Sequence, residues 1–77
     1  MPAQTLDARG LKCPIPVLRA RKVIRSLNAG EELEVLATDP GAVKDFQAFS
    51  DATGHELIDW QENGDEFRFL IRKKAKA

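Results

Sequence analysis

The chain holds one cysteine, Cys13, in the run Leu6-Asp7-Ala8-Arg9-Gly10-Leu11-Lys12-Cys13-Pro14-Ile15-Pro16. One cysteine cannot close an internal disulfide, and one cysteine with one histidine is too few for a structural zinc site. Cys13 is therefore either a small buried apolar group, a common fate of free cysteine, or a reactive thiol. Its surroundings favour the second. Pro14 and Pro16 suit the first turn of a helix, where N–H groups have no partner inside the helix. A cysteine at such a start, beside Lys12 and with Arg9 in the preceding loop, is expected to be held toward thiolate. Helix-terminal dipoles and cations lower a cysteine pKa from about 8.5 into the range of roughly 3.5 to 7.5. Because the two prolines carry no N–H, those of Cys13, Ile15 and Val17 are expected to face the sulfur. The chemistry implied is attack by sulfur on sulfur, which needs a nucleophile and access rather than a deep pocket.

Other side chains have simpler readings. Asp39, followed by Pro40, reads as the cap of a second helix, compatible with a further role near Cys13. His55 reads as a surface residue at a strand start rather than a base. Trp60 is either a contact on an open sheet face or half-buried packing. Arg19, Arg21, Lys22 and Arg25 form a solvated helix face or a docking surface for a partner.

Net charge is zero, yet the charges are sorted. Between Thr5 and Ala29 stand six basic residues, Arg9, Lys12, Arg19, Arg21, Lys22 and Arg25, against Asp7 alone. From Gly30 to Glu66 acids dominate, with Lys44 the lone base, and the tail turns basic at Arg72, Lys73, Lys74 and Lys76. This dipolar pattern suits an acidic protein partner better than duplex nucleic acid. RNA binding through a sheet calls for exposed aromatics among basic residues, whereas Trp60, Phe67 and Phe69 lie among Asp59, Glu62 and Asp65. Direct nucleic-acid binding is thus disfavoured. A dithiol oxidoreductase would need a resolving cysteine. The alternative to thiol chemistry is an RNA- or protein-binding regulatory module in which Cys13 is incidental.

These residues must be positioned by few elements. A chain of 77 residues makes one domain, 1–77, and at this size buries only about 60 percent of its unfolded surface, leaving little room for an enclosed pocket. The N-terminus lacks the regions of a signal peptide and no apolar run is long enough to span a bilayer, so a cytoplasmic protein without membrane contact is expected. Thr5 to Ala8 reads as a strand. Val17, Ala20, Ile24 and Leu27 form the apolar stripe of a helix stopped at Asn28-Ala29-Gly30, with Gly30 left-handed. Leu33, Val35 and Ala37 alternate as in a strand. Val43, Phe46 and Phe49 mark a second helix ended at Gly54. Leu57 to Gln61 and Phe67 to Arg72 form a hairpin through Asn63-Gly64, read as a type I′ turn. The order βαβαββ with crossovers of one hand gives an α+β fold, a two-layer α/β sandwich: a four-stranded mixed sheet with two helices on one face.

The segment from Leu6 to Pro16, with its Cys-Pro-x-Pro motif, resembles the signature of the TusA (SirA-like) sulfur-carrier family. The similarity extends to Asp39-Pro40 and to the Arg-Phe-Leu-Ile-Arg-Lys ending at 68 to 73. The resemblance implies a sulfurtransferase in which Cys13 carries a persulfide taken from a cysteine desulfurase or other sulfur donor protein and relays it to a downstream sulfur-acceptor protein. It implies no cofactor and no metal, and links the acidic side chain of Asp39 to function. Members of this family serve tRNA thiolation, molybdenum cofactor assembly or sulfur oxidation. Ile15 stands where some members have an acidic residue, and Gly41-Ala42-Val43 replaces a small polar run found in members that act in tRNA thiolation.

Overall fold

The computed structural model describes residues 2–75. Lys76, expected in a basic tail, lies outside the described residues. The order is β1 (Gln4–Ala8), α1 (Ile15–Ile24), β2 (Glu32–Ala37), α2 (Ala42–Thr53), β3 (Glu56–Asn63) and β4 (Glu66–Arg72). The strands form one sheet in the order β1-β2-β4-β3, with β1 and β2 parallel and the other neighbours antiparallel. This is the expected βαβαββ sandwich. Alternation places Leu33, Val35 and Ala37 of β2 and Phe67, Phe69 and Ile71 of β4 inward, where Ala20 and Ile24 of α1 and Ala42, Phe46 and Phe49 of α2 meet them. Phe46 stacks on Phe69 at 4.5 Å between ring centroids and meets Phe49 edge-on at 6.4 Å, fixing α2 to the sheet.

The opposite sheet face carries side-chain ladders. Arg72 reaches Glu32 at 3.1 Å and Glu56 at 3.5 Å, while Arg68 pairs with Glu34, which also accepts from the Thr5 hydroxyl. Trp60, opposite Phe69 in register, stands on the helix-covered side, 40% exposed at the β3 edge and 6.5 Å from the Phe69 ring. It is therefore not a contact on the open face.

Several boundaries differ from the periodicity. Helix α1 ends at Ile24, and the N–H groups of Ser26 and Leu27 bond back three residues, to Val23 and Ile24, tightening the exit. Leu27 stays buried beyond the helix. Gly30 is left-handed, as expected, but it opens the path into β2, its N–H bonded to the Lys73 carbonyl. The ammonium of Lys73 closes the end of α1 by donating to the carbonyls of Leu27 at 2.5 Å and Arg25 at 3.3 Å. In the β3–β4 hairpin Asn63 pairs with Glu66, so Gly64 and Asp65 form the loop. Only Gly64 has positive φ, which is the pattern of a type II′ turn and corrects the type I′ expectation.

What matters for chemistry is the parallel pair β1–β2. Ala8 and Ala37 end the two strands side by side, so the loops leaving them, one carrying Cys13 and the other Asp39, emerge at the same edge.

Candidate functional site

The two loops are stitched together by side chains. Gly10 N–H donates to the Thr38 hydroxyl at 2.9 Å, and Cys13 N–H donates to Asp39 Oδ2 at 2.7 Å. The other Asp39 oxygen accepts from Gly41 N–H at 2.9 Å, so one carboxylate binds both loops. These two N–H groups hold the Asp39 pKa below the usual carboxylate range, with Lys12 adding a smaller attraction.

Asp39 is thus not the helix cap the sequence pattern predicts. Helix α2 begins at Ala42 with Gly41 at the cap position, because Asp39 turns its side chain onto Gly41 and across to Cys13 instead. Gly41 also has a packing reason to be glycine. A Cβ there would stand 3.3 Å from the Cys13 Cβ and 3.6 Å from its sulfur.

Cys13 is exposed, and its thiol donates to a carboxylate oxygen of Asp45 in the first turn of α2. This reverses the expected electrostatics. The Asp45 hydrogen bond, then desolvation, then the charges of Asp45 and Asp39 push the thiol pKa up to about 11. Two of the three anticipated backbone donors are occupied elsewhere: Cys13 N–H is on Asp39, and Ile15 N–H is on the Lys12 carbonyl at 2.8 Å. The anticipated cations are not on the sulfur either. Arg9 donates to both oxygens of Asp7 at 2.9 and 3.0 Å and lies 3.7 Å from Glu66; its guanidinium draws the Asp7 pKa down to about 2. Lys12 makes no hydrogen bond or ion pair to Cys13 among the described residues and adds only a weak attraction on Asp39.

Of the remaining candidates, Pro14 sits at the cap position of α1 and is exposed, while Pro16 is buried. Arg19, Arg21, Lys22 and Arg25 are all exposed on α1, and among the described residues none enters an ion pair. Beside them Ile15 and Leu18 are 40% and 56% exposed, an apolar margin next to the thiol. His55 lies at the far end, its ring 5.8 Å from Phe49 and its Nδ1 accepting the Lys74 N–H, so it has no access to Cys13. Burial, with Lys74 and Lys73 nearby, pushes its pKa down.

Sequence reasoning missed Asp45, Gly41 and Thr38. The signal available for Asp45 was topological: in a βαβ unit followed by a second crossover, both helix starts gather at the same strand ends, so an acid in the first turn of α2 falls near the start of α1. Among the described residues no cluster of three or more His, Cys, Asp or Glu side chains is arranged to hold a metal ion.

A small two-layer sandwich offering an exposed thiol from a braced loop fits the class of small sulfur carriers. The comparisons make the class specific: residues 4–73 match the model of the family described as Sulfurtransferase TusA, and the chain belongs to that family. It is 54% identical over 70 residues to the sulfur carrier protein TusA of Allochromatium vinosum, covering 91% of this chain and 92% of that one. The TusA sulfur carrier of Pseudomonas putida strain GB-1 is 46% identical over 74 residues, covering 96% of this chain and 92% of its own. Among solved structures, a SirA-like protein of Desulfitobacterium hafniense superposes with a TM-score of 0.80 at 27% identity, over 92% of this chain and 97% of that one. No helix of the described residues is long and apolar enough to cross a membrane.

Proposed function

We propose that Cys13 accepts one sulfane sulfur from the persulfide of a cysteine desulfurase or similar donor and relays it to an acceptor protein. The observation that carries this reading is the placement of the thiol: exposed, at the meeting point of two loops tied by Asp39. Membership in the TusA family and the sulfur-carrier descriptions of its relatives support it. In the forward step the Cys13 sulfur attacks the outer sulfur of the donor persulfide. The donor S–S bond breaks, a new S–S bond forms on Cys13, and the proton lost by Cys13 ends on the donor thiol, with no net oxidation. Delivery repeats the exchange with an acceptor thiol.

Pro14 and Pro16 stiffen the start of α1 behind the thiol, and Arg9 braces the base of the loop through Asp7 and Glu66. Asp39 fixes the Cys13 backbone, with Lys12 beside it. The exposed cations Arg19, Arg21, Lys22 and Arg25 dock an acidic donor within reach of the sulfur. The chain acts as one carrier domain, and a reducing cytoplasm suits a thiol with no partner cysteine. tRNA thiolation, molybdenum cofactor assembly and related sulfur metabolism are the destinations for which its chemistry is suited. Intact-mass measurement after incubation with a cysteine desulfurase and cysteine tests the proposal. A gain of one sulfur atom, reversed by reductant, is expected; an unchanged mass alongside an active desulfurase would overturn it.

A further inference from the structure

The carboxylate facing the thiol has no part in a scheme that asks only for an exposed nucleophile. Asp39 cannot serve the sulfur, since both of its oxygens are taken by the N–H groups of Cys13 and Gly41. Asp45 is different: its carboxylate accepts from the thiol itself. It is also fixed in place, because Ala42 and Phe46 on either side of it in α2 are fully buried, and Phe46 is stacked on the sheet. Gly41 lets α2 approach the cysteine loop closely, since a Cβ there would stand 3.3 Å from the Cys13 Cβ.

We propose that Asp45 guards Cys13, holding the thiol proton in the free protein and restraining the sulfur from attack until a donor surface displaces or neutralises the carboxylate. This rests on the carrier reading and adds a resting state to it. When the donor has displaced or neutralised the carboxylate, the Cys13 S–H bond breaks and its proton passes to water or to a basic group of the donor. The freed electron pair attacks the outer donor sulfur, the donor S–S bond breaks, and the leaving donor sulfur collects the proton.

The charged groups around the thiol are Asp45 from α2, Asp39 from the β2–α2 loop, and Lys12 from the cysteine's own loop, the last adding a weak attraction on Asp39. Arg9 is held by Asp7 and Glu66. Two carboxylates therefore face one thiol, which agrees with a pKa raised to about 11. A carrier guarded in this way resists indiscriminate alkylation and oxidation while idle, since thiolate is the reactive form.

The test is the pH profile of iodoacetamide alkylation for the wild-type chain, Asp45→Asn, and Asp51→Asn as an exposed acid of the same helix. If Asp45→Asn returns the thiol from about 11 to the ordinary 9.0, the thiolate fraction near neutral pH rises about a hundredfold. Lower intrinsic nucleophilicity takes back about a factor of ten, so alkylation is expected to speed up about tenfold. Asp51→Asn should match the wild type. Thiolate absorbance of the unmodified wild-type chain gives a second readout that does not depend on a variant folding; titration above about 10 is expected, and titration at or below about 9 would overturn the guard. A wild-type-like profile in folded Asp45→Asn would overturn it as well. Sulfur loading of the wild type by a desulfurase is read separately: its absence defeats the carrier reading, whereas unchanged alkylation with normal loading defeats the guard alone.

Discussion

The two ends of the sheet offer opposite lessons about where chemistry resides. At one end Leu27, Asn28, Ala29, His55, Lys73 and Lys74 line a recess of about 310 Å³. Two of its polar side chains are already engaged: Lys73 closes α1 and His55 accepts from the Lys74 backbone. At the other end two loops are wired by Thr38 and Asp39, and an exposed thiol rests on Asp45. The hollow end is structural and the opposite end presents the reactive group. For sulfur exchange between proteins this makes sense, because the partner's cysteine must reach the sulfur and a deep cavity would bar it.

The sharpest way to break this contrast is to separate reactivity from folding. Cys13→Ser should abolish sulfur acceptance while the chain keeps its unfolding midpoint, because the residue is exposed. Phe46→Ala should instead cost about 3 to 5 kcal/mol in denaturant unfolding, since its ring is fully buried in the core. Comparable destabilisation by both changes would mean that Cys13 is part of the packing.

A smaller effect is expected from the cationic face. Reversing Arg21 and Arg25 to Glu should slow sulfur transfer from the desulfurase at low salt, where the screening length is about 10 Å at 0.1 M, and the difference should shrink as it falls to about 3 Å at 1 M. Iodoacetamide alkylation of the same variant should be unaltered. Transfer at the wild-type rate in low salt would return those residues to a solvated surface.

The smallest effect concerns the brace at the loop base. Arg9 lowers the folded pKa of Asp7 from 3.8 to about 2, so the pair favours folding at pH above the unfolded value and that contribution is lost as pH falls through this window. Both side chains are exposed, so the contribution is small and fades with salt. Carboxyl chemical shifts should show Asp7 titrating higher in Arg9→Gln but still below its ordinary value, because the backbone N–H of residue 9 continues to donate to it. An unmoved titration would detach Arg9 from the loop.

The contrast also shows what the sequence could convey. The core was legible because it repeats: Leu33, Val35 and Ala37 alternate, and Phe46 and Phe49 share a helix face. Cys13 was legible because its neighbours are unusual. Its electrostatics were not, since the deciding group, Asp45, is 32 residues away and becomes a neighbour only through parallel pairing of β1 with β2. Asp39 misled for a related reason. An acid before proline has the local form of a cap, but here its oxygens are drawn to N–H groups on two loops. The hairpin was legible, but its turn was read one residue early and its type was missed, because pairing of Asn63 with Glu66 makes Gly64 the first loop residue.

The central claim, that Cys13 holds sulfur only in transit, is tested most directly by a chase. The chain is loaded with isotope-labelled sulfur by a desulfurase, separated from it, and mixed with an acceptor thiol protein. Label confined to the Cys13 peptide before mixing, and moved to the acceptor afterward, is the expected result. Label found elsewhere in the chain, or fixed on Cys13 after the acceptor is added, would contradict it.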